Sequence, residues 1–236
     1  MGLLDVLLGR SKPVRPDLDQ LFGLTSAAIT LQAATELRPT GLGSVCFSAV
    51  EGGAFTEIQQ DLHTLLSTES SRDSYGYTWL LSRHAPEDVT GLVTDLHAVN
   101  STLEQHGFGP QLLCSLVGFA DPAGPSLALV YLYKRGSFYP VCKRPGEQKR
   151  DNARELEIAA LLTGRPSALA SALTKVSGQI AAIPTEDLRS SQAFNAFYFA
   201  PALSAGAGFS RLMSTHPTLE ARLEQLSRIT RELDHR

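Results

Sequence analysis

Apolar residues recur along the chain with two periods, and each period marks a type of element. The clearest is PEDVTGLVTDLHAVNSTLEQHG at 86–107, where Val89, Leu92, Leu96, Val99 and Leu103 share one face of a helix. Pro86 suits its first turn, Glu87 and Asp88 suit its positive dipole end, and Gly107 supplies the stop. PDLDQLFGLTSAAITLQAATEL at 16–37 also reads as a helix, between Pro16 and Pro39, and FTEIQQDLHTLL at 55–66 gathers Ile58, Leu62, Leu65 and Leu66 on one side. The period of two marks strands. SVCFSAV at 44–50 is bounded by glycines, SYGYTWLL alternates Tyr75, Tyr77 and Trp79, and QLLCSLVGF and LALVYLYK flank the turn signal DPAGPS as a hairpin. Helices interleaved with such strands predict an α+β fold, a mostly antiparallel sheet with helices packed on it.

The pattern changes after KRPGEQKRDNARE at 143–155. RPSALASALTKVSGQIAAIP aligns Leu169, Leu173, Val176, Ile180 and Ile183, and PTLEARLEQLSRITREL aligns Leu219, Leu223, Leu226, Ile229 and Leu233. Glu224, Arg228 and Glu232 form an exposed ladder on the second of these helices. The expected division is an α+β domain over 1–149, a linker at 150–157 and a mainly helical segment over 158–236. Each of those last helices must bury its stripe, and the expected cover is the front domain or a partner.

Composition narrows the function classes. With 43% apolar and 19% charged residues the 236-residue chain has the balance of a core-forming protein. A net charge of −3 argues against nucleic acid as a partner. Cys46, Cys114 and Cys142 are odd in number and widely spaced, which fits a reducing cytoplasm better than a disulfide framework. The opening MGLLDVLLGR is too short for a signal peptide core or a membrane span, Val6 breaks the myristoylation pattern, and the apolar run at 194–209 is interrupted by Asn195 and Pro201. No membrane span is expected, with peripheral association left open.

Catalytic chemistry finds little footing. FSRLMSTHPTLEARLEQLSRI at 209–229 has the look of a zinc protease, but His63, His84, His97, His106, His216 and His235 include no pair one helical turn apart. A zinc protease of the HExxH kind requires such a pair to point two imidazoles at one metal. The GxG stretches GLGSVC, GFGPQL and GAGFSR complete neither a dinucleotide nor a Walker sequence. Cys114 lies inside an apolar strand, and nothing in the sequence names a base for Cys142, so neither reads as a nucleophile. The aromatic set Tyr75, Tyr77, Trp79, Tyr131 and Tyr133 reads as sheet packing rather than a binding platform. YKRGSFYP at 133–140 stands apart, because Lys134, Arg135, Phe138 and Tyr139 around Gly136 suit a partner-binding loop as well as a solvated turn.

Two resemblances complete the picture. Residues 1 to about 155 resemble the bacterial PspA-associated family PspAB, through MGLLDVLLGR, KPVRPDLDQLF, LRPTGLGSVCF, YGYTWLL, LVTDLHAVN, GFGPQLLCSLVGF and LALVYLYKRGSFYP. That resemblance implies association with the phage-shock, envelope-stress system and brings with it no established catalytic activity. Residues from about 158 to 236 are similar to the C-terminal end of HtpX-type zinc metalloproteases, through LLTGRPSALASAL, IPTEDLR, NAFYF and STHPTLEARLEQL. The resemblance makes His216 and Arg222 remnants of the protease family, His216 matching the histidine of its STHP motif. It also places the third zinc ligand and a following Asp on Asn152 and Leu156, the wrong residue types, with Glu155 and Glu157 nearby. The expectation is an interaction protein without metal or cofactor, cytoplasmic or at the inner face of the membrane, whose partners are PspA-type or HtpX-type envelope-stress proteins. The alternative is a component of an HtpX-like protease whose catalytic part is encoded separately.

Overall fold

The computed structural model describes residues 17–48, 53–122, 124, 126–144, 150–181 and 218–234. The chain divides into two compact units, Met1–Tyr139 and Pro140–Arg236. A 3-10 turn at Leu18–Phe22 runs into α1 (Gly23–Ala34). β1 (Arg38–Ser48), α2 (Gly53–Leu66), β2 (Glu69–Arg72), β3 (Tyr77–Arg83) and α3 (Val89–Gln105) follow. β4 (Leu112–Ala120), β5 (Leu127–Leu132) and β6 (Ser137–Cys142) complete a six-stranded sheet of order β2-β3-β1-β4-β5-β6. The β1–β3, β1–β4, β2–β3 and β4–β5 pairs are antiparallel, so the α+β expectation holds.

The core of the first unit follows from the predicted stripe of α3. Val89, Leu92, Leu96, Val99 and Leu103 are all buried, over Val45, Leu80, Val117 and Phe119 of the sheet. A side chain at Gly43 would press on Leu92 and Leu96 at 3.0 Å, so this glycine lets α3 settle directly on β1. Ser115 of β4 accepts from Asn100 Nδ2 of α3 at 2.9 Å, which fixes the sheet face that α3 covers.

Several boundaries differ from the sequence reading, each for a local reason. α3 starts at Val89 because Asp88 caps it, accepting from Gly91 N at 2.8 Å, which leaves Pro86 and Glu87 in the preceding turn. The 16–37 helix ends at Ala34, where Thr35 Oγ1 donates to Leu31 O at 2.7 Å and Leu37 N donates back to Thr35 Oγ1. β1 begins at Arg38 rather than 44, carrying Pro39 and Gly41 through a ladder irregularity between Pro39 and Gly43. β2, with the sequence ESSR, has no apolar signal at all; it is an exposed edge strand tied by Arg83 to Glu69 at 2.9 Å.

The β3–α3 connection carries a charged clasp. His84 Nδ1 lies 2.9 Å from Asp88 Oδ2, and Nε2 lies 2.7 Å from Asp95 Oδ2. Carboxylate oxygens only accept, so both ring nitrogens donate and the ring is held as the imidazolium. The hydrogen bond to Asp95 first, then that to Asp88, raises the His84 pKa above its ordinary 6.5 against the cost of burial, while His84 lowers Asp88 below its ordinary 3.8. The stability from His84 is therefore complete below pH 6.5 and lost as pH rises through the raised value; that from Asp88 is lost as pH falls below 3.8. His84→Gln is expected to lower stability by about 1 kcal/mol near neutrality, discounted because Asp88 is half-exposed to screening water. Denaturant unfolding of both proteins across pH would show the difference closing on the alkaline side.

The second unit has a core of its own. α4 (Asn152–Thr163), α5 (Pro166–Ala181) and α6 (Leu219–Asp234) bring together Leu156, Ala160, Leu173, Leu226 and Ile229, with Leu169, Ala170, Leu219 and Leu233 at its edge. Asp151 caps α4 by accepting from Arg154 N at 3.1 Å, Gly164 closes it in the left-handed conformation, and Pro166 opens α5. Gln225 Nε2 ties α6 to Ala153 O at 2.8 Å. This corrects the expected cover for the last helices: α4, which reads in the sequence as part of a polar linker, supplies it from within the same unit.

Candidate functional site

The predicted loop is a tight turn followed by a strand. Leu132 O accepts from Gly136 N at 2.9 Å and from Arg135 N at 3.2 Å, with Gly136 at φ +58, which closes the turn and points Lys134 and Arg135 into solvent. Phe138 follows on β6 with 40% of its surface exposed, its ring 4.8 Å from the buried Tyr131. Tyr139 is half-buried.

The support beneath this surface is buried and hydrogen-bonded. Tyr131 OH donates to Asp17 O at 2.8 Å and stacks edge-on to Tyr133 at 5.1 Å. The Tyr133 hydroxyl bonds to Ser115 Oγ, and burial pushes its phenol pKa up, so it stays neutral. Tyr131 and Tyr133 are thus core residues, as expected for sheet packing, whereas Tyr75 and Tyr77 are exposed at 82% and 39%.

The sequence did not point to the neighbours of the loop. Gly23 lies near Phe138, since a side chain there would come within 4.0 Å of its ring, and Phe22 beside it is as exposed as Phe138. Phe22 packs its ring 5.0 Å from His97, which in turn lies 3.2 Å from Asp19. Ile29, seven residues after Phe22 and so on the same helical face, is 68% exposed. Two phenylalanines, an isoleucine and two cations therefore lie on neighbouring exposed elements of the first unit. The signal available in the sequence was an apolar residue at 22 and 29 outside the buried stripe of Leu24, Ala28 and Leu31.

The protease-like segment offers different chemistry. His216 lies outside the described residues. Arg222 is 6% exposed on α6, and burial lowers its guanidinium pKa. Asn152 is the first residue of α4, and Leu156 sits in the apolar core. Both nearby carboxylates are committed to arginines. Glu155 receives Arg150 Nε at 2.9 Å, Arg150 Nη2 at 2.7 Å and Cys142 N at 2.9 Å, and Glu157 pairs with Arg154 at 2.8 Å. Burial, with Glu155 beside it, pushes the Cys142 thiol up to about 12, which makes it a poor nucleophile. Where the resemblance puts the third zinc ligand and the Asp after it, the chain has Asn152 and Leu156, and its 236 residues contain no HExxH. Among the described residues no group of three His, Cys, Asp or Glu side chains converges on a metal position, and no helix is long and apolar enough to cross a membrane.

Comparison with known proteins adds two findings. A family model described as PspA associated protein B matches residues 1–166, which takes in the whole of α4. A 75-residue segment is 68% identical to Protease HtpX homolog 1 of Streptomyces coelicolor, covering 32% of this chain and 25% of that protein. Protease HtpX homologs of Moorella thermoacetica and Methanosarcina acetivorans are 54% identical over 78 residues and 47% over 75, covering 33% and 32% of this chain and 26% and 25% of theirs. The chain thus spans about a quarter of the length of these curated relatives. No solved structure matches it.

Proposed function

Because this chain belongs to the PspA associated protein B family, we propose that it is a non-enzymatic interaction protein of the envelope-stress system, acting in the cytoplasm at the inner face of the membrane on a PspA-type partner. The family match over residues 1–166 carries this reading. The surface of Phe22, Ile29 and Phe138 beside Lys134 and Arg135 supports it, because aromatic anchors with a basic rim suit a partner face that combines apolar and acidic side chains. Recovery of the intact chain from cells, with PspA-type and HtpX-type proteins sought together, tests it. The PspA-type protein is expected in the captured complex. Stoichiometric zinc with chelator-sensitive peptide cleavage by the purified chain would overturn the non-enzymatic reading.

Side-chain replacement localises the contact. Lys134→Glu together with Arg135→Glu is expected to weaken partner binding by about tenfold or more, mainly through slower association and most clearly at low salt. Phe138→Ala is expected to weaken it by a similar factor through faster dissociation. Unchanged circular dichroism in each variant would keep the effect on the surface.

One observation favours a second reading. The 68% identity to an HtpX homolog over 75 residues supports a role as regulator of a separately encoded HtpX-type protease. Capture of that protease instead of a PspA-type protein, with its activity altered by His216→Ala, would replace the first reading by the second.

A further inference from the structure

Two of the three cysteines face each other across the middle of the sheet. Cys46 of β1 is the register partner of Cys114 of β4, and the row extends to Trp79 of β3 on one side and Leu132 of β5 on the other. Register partners in a sheet place their side chains on the same face. The adjacent row of Leu80, Val45, Ser115 and Tyr131 includes the serine that bonds Asn100 of α3, so the cysteine row occupies the opposite face.

We propose that Cys46 and Cys114 form a redox site, a cross-strand dithiol that a hydroperoxide oxidises reversibly to an intramolecular disulfide. Directly opposed residues of antiparallel strands have Cα atoms about 4.5–5.5 Å apart, inside the disulfide range of about 4.4–6.8 Å. The ladder shifts register immediately after Cys46, between Cys46 and Phe47, which leaves β1 room to adjust there. Cys46 is 3% exposed, while Cys114 is only partly buried and open to a small oxidant.

The two thiols have unequal roles. A hydrogen bond from Cys46 lowers the Cys114 pKa against the effect of burial, and the same contact together with burial raises that of Cys46. Cys114, the more exposed of the two, is the attacking sulfur. Its sulfur attacks one oxygen of the hydroperoxide, the O–O bond breaks, and the other oxygen leaves as hydroxide or alkoxide and takes up a proton. Cys114 is now a sulfenic acid, oxidised by two electrons. The Cys46 sulfur displaces that oxygen, the S–S bond forms, and the departing hydroxide takes the Cys46 proton to become water. Two thiols and one hydroperoxide thus give one disulfide, one water and one further water or alcohol. A disulfide of this kind in a reducing compartment is transient and reports oxidant.

The test uses the purified full-length chain, treated with hydrogen peroxide, alkylated under denaturing conditions and weighed intact. The expected product has lost the mass of two hydrogen atoms, retains one alkylatable thiol, and yields a Cys46–Cys114 cross-linked peptide that dithiothreitol reverses. Cys142→Ser should leave the cross-link in place while removing the remaining alkylatable thiol, and Cys114→Ser should abolish the cross-link. An unchanged mass, oxygen retained on Cys114 without a cross-link, or a disulfide that includes Cys142 or joins two chains would overturn the proposal. The wild-type peptide map decides it even if a variant fails to fold.

Discussion

Leu226→Ala is expected to destabilise the C-terminal helical unit by about 3–4 kcal/mol, the cost of removing a fully buried leucine from a core that can only partly collapse around the gap. Leu226 is 1% exposed in one core cluster with Leu156 and Ala160 of α4, Leu173 of α5 and Ile229 of its own helix. So small a core has few other apolar groups to compensate, and a loss of that size is a large fraction of the stability of any domain. Hydrogen exchange of the α6 amides should accelerate by more than a hundredfold, as about 1.4 kcal/mol corresponds to each factor of ten. Leu226→Met, which keeps the volume, should cost less than about 1.5 kcal/mol. Unaltered exchange in the alanine variant would mean that α6 does not depend on this packing, and the segment would return to being a helix in search of a surface.

Gly41→Ala is expected to cost the N-terminal unit about 2–5 kcal/mol. Gly41 has φ +72, where a side chain carries a penalty of about 1–2 kcal/mol, and its new Cβ would stand 2.1 Å from the backbone oxygen of His84. Backbone cannot swing aside as a flexible side chain does, so the overlap adds about 1–3 kcal/mol of repacking. The same contact holds the clasp: His84 N donates to Gly41 O at 2.9 Å, so pushing the strands apart also pulls His84 from Asp88 and Asp95. A urea midpoint shifted strongly downward, together with loss of the raised His84 titration by NMR, is the expected outcome. A midpoint within error of the wild type would show that β1 tolerates a side chain at this irregularity.

What could be read in the sequence was what rests on periodicity. The stripe of α3 and the β4–β5 hairpin are strong patterns, and both formed, because burying one face of each requires those residues to be apolar. β2 was hidden because an edge strand holds its place through the ladder and an ion pair, and ESSR needs no apolar face for either. α4 was hidden by its polar surroundings: Asp151, Arg150 and Glu155 look like linker, yet they cap the helix and clasp it to the backbone of Cys142. Once α4 is a helix, Leu156 is a core residue and the stripes of α5 and α6 have their cover. The candidate surface was half visible. Lys134, Arg135 and Phe138 lie in one short run, whereas Phe22 and Ile29 come near them only through the tertiary fold, which brings Gly23 close to Phe138.

The measurement that bears most directly on the account is equilibrium binding of the purified 236-residue chain to the PspA-type protein of the same cell. The account predicts saturable binding that weakens by about tenfold or more with Phe138→Ala or with Lys134→Glu and Arg135→Glu combined. A folded chain that shows no saturable binding, or binding that both variants leave untouched, would contradict it.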